Sequence, residues 1–574
     1  MFSLSCRLIS LSVLLILQLS TIGQTNGGNQ FTICNPMDLS YRYCLDTPSR
    51  REAADPTMVV FKDEYYLFAS KSGGYFHSTD LIRWDLITTN DLPIEDYAPT
   101  AMVMKDTLYF MASGAAPKIY KTTDPKSGNW TVVNESFPIG MIDPDLFVDD
   151  DGRLFFYYGC SNIDPLHAVE LDPVSFNPIG KPVDLLNSNK KLHGWERKSD
   201  YNDQAVDPWI EGAWMTKYNG KYYLQYAAPG TEFKSYSDGV YVSDKPLGPY
   251  TMAKHNPVAY KPEGFVAGAG HGNTFRDRYG NYWHIATMTI SNKHMFERRL
   301  GLFPAFFDKD GTFYIYTGFG DMPIRLPSKK INGPDEISTG WMLLSYNKQV
   351  QASSELPEHP KQDAVDEEIR SFWSARTGEK GEWFSIDLGK SAEVNAVQIN
   401  YYEYKSDLLG RKPGIYYQYL LEYSDDNKTW KTMVDKTSNT EDRPHDYIEL
   451  GKPVKARYIR ITNYRVPDGT FTLSGIRVFG KANGSRPAQV NKIDVSRNAA
   501  DRCQAVIKWP AVPGATGYNI RYGTDRNKLY HNYQVLGVND LKLNSLDSNE
   551  KYFFTVDAFN ESGVTRGSAI KAVE

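Results

Sequence analysis

A strand–turn–strand phrase recurs six times between Phe61 and Gly320, and it limits the fold more than any other feature of the chain. It reads FKDEYYLFAS from Phe61, VMKDTLYFMASG from Val103 and VDDDGRLFFYYG from Val148. It returns as TKYNGKYYLQYAAPG from Thr216, RDRYGNYWHIATM from Arg276 and FDKDGTFYIYTGFG from Phe307. Each copy joins an apolar approach to a tight Asp/Asn/Gly turn and then to aromatic and aliphatic residues in a β pattern, the signature of a hairpin. The copies are irregularly spaced, roughly thirty to seventy residues apart, which suits a propeller with insertions better than a solenoid. Six phrases allow five or six blades. No long helical periodicity interrupts them.

Beyond this region the texture changes twice. A polar Pro/Gly-containing linker at Pro327–Pro334 precedes a different all-β unit, which starts near Met342. Its strands read FWSA at Phe372, GEWFSIDLGK at Gly381, YLLEYSDDNKTWKTM at Tyr419, VKARYIRITN at Val454 and LSGIRVFG at Leu473. Alternating faces of this kind are half-buried strands of a sandwich. After a second linker, Lys481 to Pro487, Trp509 stands on an early strand, and Leu546 precedes Tyr552 by six positions. That spacing is the tyrosine corner of a small immunoglobulin-like sandwich. A chain of 574 residues has room for two to four such domains.

The N-terminus predicts export. Arg7 leads into an apolar run from Leu8 to Leu19, followed by Ser20, Thr21 and Gly23. This is the pattern of a signal peptide over residues 1–24, giving a periplasmic or extracellular protein. The run is short for a membrane span, and Cys6 precedes it rather than following it as a lipid anchor would require. The net charge of −5 offers no basic stripe for nucleic acid or an anionic membrane. Cys34 and Cys44 either close a short disulfide or stay free. With Cys160 and Cys503 they form no zinc-like spacing.

Aromatic residues make up 13% of the chain, with 11 Trp. That weight suits strands and also suits sugar rings. Glycosidic cleavage needs two carboxyl groups flanking the bond, one a proton donor and the other a base or nucleophile. Three acids stand in comparable positions: Asp55 in REAADPTMVV before the first phrase, Asp143 in GMIDPDLFVDDDG before the third, and Glu211 in VDPWIEGAWMTKYNG before the fourth. All three have apolar or small neighbours, where a carboxylate is costly to bury without purpose. Asp145 and Asp207 are rivals, ranked lower because one lies nearer the hairpin and the other is a second Asp-Pro turn.

These motifs, with YFHSTDLIRW at Tyr75, SDKPLGPY at Ser243, GAGHGNTF at Gly268 and RRLGLFPAFFDKDG at Arg298, resemble the family 43 glycosidases over roughly residues 45–325. The resemblance implies an inverting enzyme on a five-bladed propeller, acting on arabinose-, xylose- or galactose-containing polysaccharides. It implies Asp55 as the general base, Asp143 as the residue that orients the acid and raises its pKa, and Glu211 as the acid. It further implies Tyr97, Trp209, His271 and Arg298 as substrate-side residues, with Arg299 an alternative to Arg298. The chain departs from the family in reading Glu211-Gly212-Ala213, where a Pro often stands third.

Residues 345–481 resemble the discoidin, or coagulation factor 5/8 C-type, domain, for which packing and sugar binding are both open roles. Residues 488–574 resemble fibronectin type III. The expected fold is therefore all-β: a five-bladed β-propeller over residues 30–330 followed by two β-sandwich domains. The expected function is release of terminal sugars, α-L-arabinofuranose first and then β-D-xylose or β-galactose, by a monomer. An inverting enzyme would hold the Asp55 and Glu211 carboxyls roughly 6.5–9.5 Å apart. No organic cofactor is required and no metal ligands are assigned; the channel leaves room for a calcium or sodium ion. A propeller that binds glycan without cleaving it is the alternative. A cell-surface scaffold explains the C-terminal half alone and leaves the buried acids unexplained.

Overall fold

The structure is a computed structural model and describes residues 31–574; the signal segment expected over residues 1–24 lies outside them. The described residues contain strands and four short 3-10 turns, with no α-helix. No helix among them is long and apolar enough to cross a membrane.

Five four-stranded antiparallel sheets, each a meander, occupy Thr57 to Ile315. Their first strands are Thr57–Phe61, Thr100–Met104, Asp145–Val148, Glu211–Tyr218 and Ala267–Arg276. Each first strand touches the next, and the fifth touches the first, so the five close a ring. Five of the phrases supply the hairpin between the first two strands of a sheet. The sixth joins the third and fourth strands of the fifth sheet, where Phe307 pairs with Phe313. Two of the tight turns carry positive φ at both central residues: Lys62–Asp63 (50° and 62°) and Asn219–Gly220 (49° and 75°). This is the primed geometry that matches strand twist.

The aromatic load fills the joints between sheets. Phe61, Phe68, Tyr75, Phe110 and Trp130 pack the first sheet on the second. Tyr65, Phe275 and Trp283 pack the fifth back on the first. Each such buried side chain contributes about 1.5–3 kcal/mol relative to exposure, and side-chain bonds between neighbouring sheets, such as Asn273 with the Met58 backbone, add to the hold.

The second unit is an eight-stranded sheet built on two long strands, Trp383–Tyr401 and His445–Arg465. It wraps a core that includes Trp373, Phe384, Tyr417 and Phe471. The third unit sets a three-stranded sheet against a five-stranded one around Trp509, Tyr518 and Tyr552. There the Tyr552 hydroxyl accepts the Asp547 amide at 3.0 Å.

Both later units are bolted to the ring of sheets. Arg51, fully buried, donates to Glu403 at 2.6 Å and to both oxygens of Asp442 at 2.7 and 2.8 Å. His193 meets Asp547 at 2.7 Å, and Arg197 forms a forked pair with Asp501. The four described cysteines are free. The disulfide considered for Cys34 and Cys44 is absent: Cys34 donates to the Asp321 carbonyl at 3.2 Å and Cys44 to Glu52 at 3.1 Å.

Candidate active site

Asp55, Asp143 and Glu211 line one open cavity of about 920 Å³, together with Tyr97, His271 and Arg298. They converge because each stands at or just before the first strand of a sheet, and the first strands surround the ring's axis. Local backbone turns aim them. Asp55 and Asp143 have left-handed φ of 50° and 57°, a conformation Asp tolerates better than most side chains. Glu211 opens its strand at a register shift between Glu211 and Trp214. Gly212 follows at φ 61° with the His271 ring so close that an added Cβ would lie 2.6 Å from it.

Asp55 is held as an anion. Its Oδ1 accepts Arg298 Nη1 at 3.0 Å and faces His271 Nδ1 at 3.4 Å, and its Oδ2 accepts Ser70 Oγ at 2.6 Å. Burial opposes the charge, yet Arg298, His271 and Ser70 together outweigh it and bring the carboxyl below the usual range. Arg298 is fixed by Glu52 at 2.7 Å and Thr231 at 3.2 Å. Arg299, its alternative, turns to the other face of the strand and donates to His445 at 2.8 Å.

Asp143 has the opposite environment. Burial, then the charges of Glu211 and Asp55, push its carboxyl well above the usual range. His271 Nδ1 stands 3.7 Å from its Oδ2, so one imidazole nitrogen sits between Asp55 and Asp143. Glu211 accepts two hydrogen bonds, from the Tyr236 hydroxyl on Oε1 at 2.5 Å and from the Cys160 thiol on Oε2 at 3.0 Å. Burial, followed by Glu211 and Asp143, pushes the Cys160 thiol up, so it remains a protonated donor.

Tyr97 stacks obliquely on Phe296, ring centres 5.6 Å apart, with Arg298 beside both rings. Trp209 is not among the cavity's lining residues; it is 39% exposed on the approach to Glu211. The rivals are elsewhere. Asp145 is buried and accepts the Met215 amide at 2.8 Å, while Asp207 pairs with Lys190 at the surface.

Cys160, Tyr236, Ser70 and Phe296 were not singled out in the sequence, although two of them left a trace. The phrase endings FAS, MASG and YYGC place Ser70, Ser113 and Cys160 at the same point of successive hairpins. Ser70 bonds Asp55, Ser113 accepts the Asp143 amide at 2.9 Å, and Cys160 bonds Glu211. Asp143, Cys160 and Glu211 bring three metal-capable atoms within 4.8 Å of one another. Calcium takes about six to eight oxygens, and here a thiol already serves Glu211, so this set does not fit that ion.

Comparison with known proteins finds matches for two parts of the chain. Residues 49–313 match Glycosyl hydrolases family 43, and residues 349–474 match the F5/8 type C domain. The chain is 24% identical over 268 residues to a beta-D-galactofuranosidase of Aspergillus niger, covering 40% of this chain and 72% of that one. It is 31% identical over 200 residues to an arabinoxylan arabinofuranohydrolase of Paenibacillus polymyxa (31% and 29% covered). It is 30% identical over 128 residues to a beta-xylosidase of Xylanibacter ruminicola (19% and 39% covered). The chain thus spans well under half the length of the last two.

Proposed function

From a chain that is a glycosidase carrying a family 43 domain, we infer an inverting enzyme that releases a terminal sugar, with α-L-arabinofuranose the first choice and β-D-xylose or β-galactose next. The relatives act, by their names, on galactofuranose, arabinofuranose and xylose linkages. The five-sheet ring supports reading residues 30–330 as a five-bladed propeller. The composition of residues 1–24 supports an exported enzyme.

The observation that carries the mechanism is the split between the acids in one cavity. Asp55 keeps its charge and can take a proton from water as the water attacks the anomeric carbon. Arg298 and His271 hold it in place. Across the cavity, burial and then the charges of Glu211 and Asp55 let Asp143 retain a proton where a lone carboxyl would lose it. Asp143 passes its proton to Glu211, which, with Tyr236 fixing Oε1, delivers it to the leaving oxygen from Oε2 as the Cys160 thiol yields its bond. Single displacement inverts the anomeric centre.

The test compares wild type with Glu211→Gln on p-nitrophenyl glycosides and plant oligosaccharides. Wild type should release one sugar, and the variant should lose about 10²–10⁴-fold on the oligosaccharides, the range of general acid catalysis. Nitrophenol leaves without an acid and should be affected less. A wild type silent across the panel, yet binding the oligosaccharides, would favour a glycan-binding protein. A first product retaining its configuration by NMR would exclude inversion.

A further inference from the structure

A second cavity of about 670 Å³ adjoins the first. The two are lined by adjoining stretches of chain. Thr231 and Phe296 line the first cavity, whereas Glu232, Phe233, His294 and Met295, their chain neighbours, line the second. Three segments of the sheet ring line it as an open groove: residues 199–204, 232–233 and 291–295.

One side chain from the F5/8 type C domain ties all three. The Arg370 guanidinium donates from Nη1 to Asp200 Oδ2 at 2.8 Å, from Nη2 to the Glu232 carbonyl at 3.3 Å and from Nε to the Ile290 carbonyl at 2.7 Å. Asn292 answers by donating to the Arg370 carbonyl at 2.8 Å and to the Tyr402 hydroxyl at 3.1 Å. The third unit adds its own brace, because Asn544 Nδ2 donates to the Tyr201 carbonyl at 2.8 Å. A planar, permanently charged fork is suited to hold three loops in one arrangement. A solvated surface loop has no need of it.

The lining has the chemistry of a sugar site. Tyr201 and Met295 are 49% and 47% exposed, and an exposed ring beside carboxylates and amides offers an apolar face together with acceptors for hydroxyls. Glu232 is near enough to the first cavity to feel Glu211, and burial followed by that charge raises its pKa. Gly230, at φ 155°, leaves its carboxylate room, since a Cβ there would stand 2.9 Å from Oε2.

We propose that this second cavity, walled by Tyr201, Glu232 and Met295 and braced by Arg370, binds the neutral sugar units on the leaving side of the scissile bond. The F5/8 type C domain then acts as part of the substrate site by holding its walls. Asp203 and Glu232 face Lys293 in this lining, and Asp200 is paired with Arg370, so no strong excess of either charge calls for an ionic sugar. The proposal rests on the glycosidase reading of the first cavity.

Binding separates the two ideas. The Glu211→Gln full chain is titrated calorimetrically with a xylotetraose bearing one arabinofuranosyl branch, and with free arabinose. The ratio of the two affinities should fall about tenfold in Tyr201→Ala and in Arg370→Ala, the size of one good contact. Tyr201 is exposed, so its removal leaves the fold intact. An unchanged ratio in Tyr201→Ala overturns the proposal, even if wild type hydrolyses the branch. A ratio that falls in Tyr201→Ala although the wild type hydrolyses nothing would keep the cavity and discard the hydrolase.

Discussion

Asp145 lies two residues beyond Asp143, and the two carboxyls serve different ends. Asp143 faces the cavity, where a retained proton has a use. Asp145 is buried between sheets, its one recorded partner the Met215 amide, and burial raises it to about 8. A carboxyl raised on folding binds its proton more tightly in the native state. Its stabilising contribution is therefore full below the unfolded value of about 4 and is lost as pH rises through about 8. Asp145→Asn should remain active on the preferred substrate, and its Tm should fall less between pH 4 and pH 8 than that of wild type. Parallel Tm curves for the two proteins across that window would show that Asp145 does not titrate there. Sequence placed both aspartates in one Asp-Pro-Asp string, and only burial and partner geometry tell the catalytic candidate from the structural one.

The first strands of the fourth and fifth sheets carry Glu211 and His271, and both are irregular. Register shifts interrupt Glu211–Tyr218 at its start and Ala267–Arg276 between Ala267 and Asn273. Such bulges re-aim side chains beside active sites. Here they let the Gly212 backbone lie against the His271 ring. Gly212→Ala would bring a left-handed φ and a 2.6 Å contact to the same position. It should cost about 1–3 kcal/mol of stability and move His271 away from Asp55 and Asp143, lowering kcat. A variant with wild-type Tm and kcat would show that the contact relaxes freely. This is where sequence reading ran short. Hairpin phrases, turn residues and the three acids were legible because they repeat or stand against an apolar background. A bulge has no composition of its own, so the absence of Trp209 from the cavity wall and the Cys160–Glu211 bond could not be read from alternation.

At the scale of the whole chain, some joints between units are as buried as the cores they connect. Arg51 immediately precedes Glu52, which holds Arg298 and through it Asp55, and its own partners Glu403 and Asp442 belong to the second unit. Arg477, in turn, reaches back from that unit to the Asp321 carbonyl at 2.7 Å while paired with Glu367 at 2.9 Å. Composition marked linkers near Pro327 and Lys481 and left packing between the units open. Sequence alone could not show that arginines separated by hundreds of residues from their partners would lock the units together. The energetic consequence is asymmetric. A buried pair adds little net stability when intact, but removing one member leaves the other charge unpaired at a cost of about 3–5 kcal/mol. Glu403→Ala removes one of the two carboxylates that balance Arg51 and leaves it Asp442, and the loss should spread to the active site through Glu52 and Arg298. Calorimetry of wild type should show the sheet ring and the F5/8 type C domain unfolding in one transition. Glu403→Ala should lower that transition as a whole and reduce kcat with it. Two separate wild-type transitions, or a variant that loses only the later one while keeping full activity, would mean that the domains stand independently and that the active site does not depend on the joint.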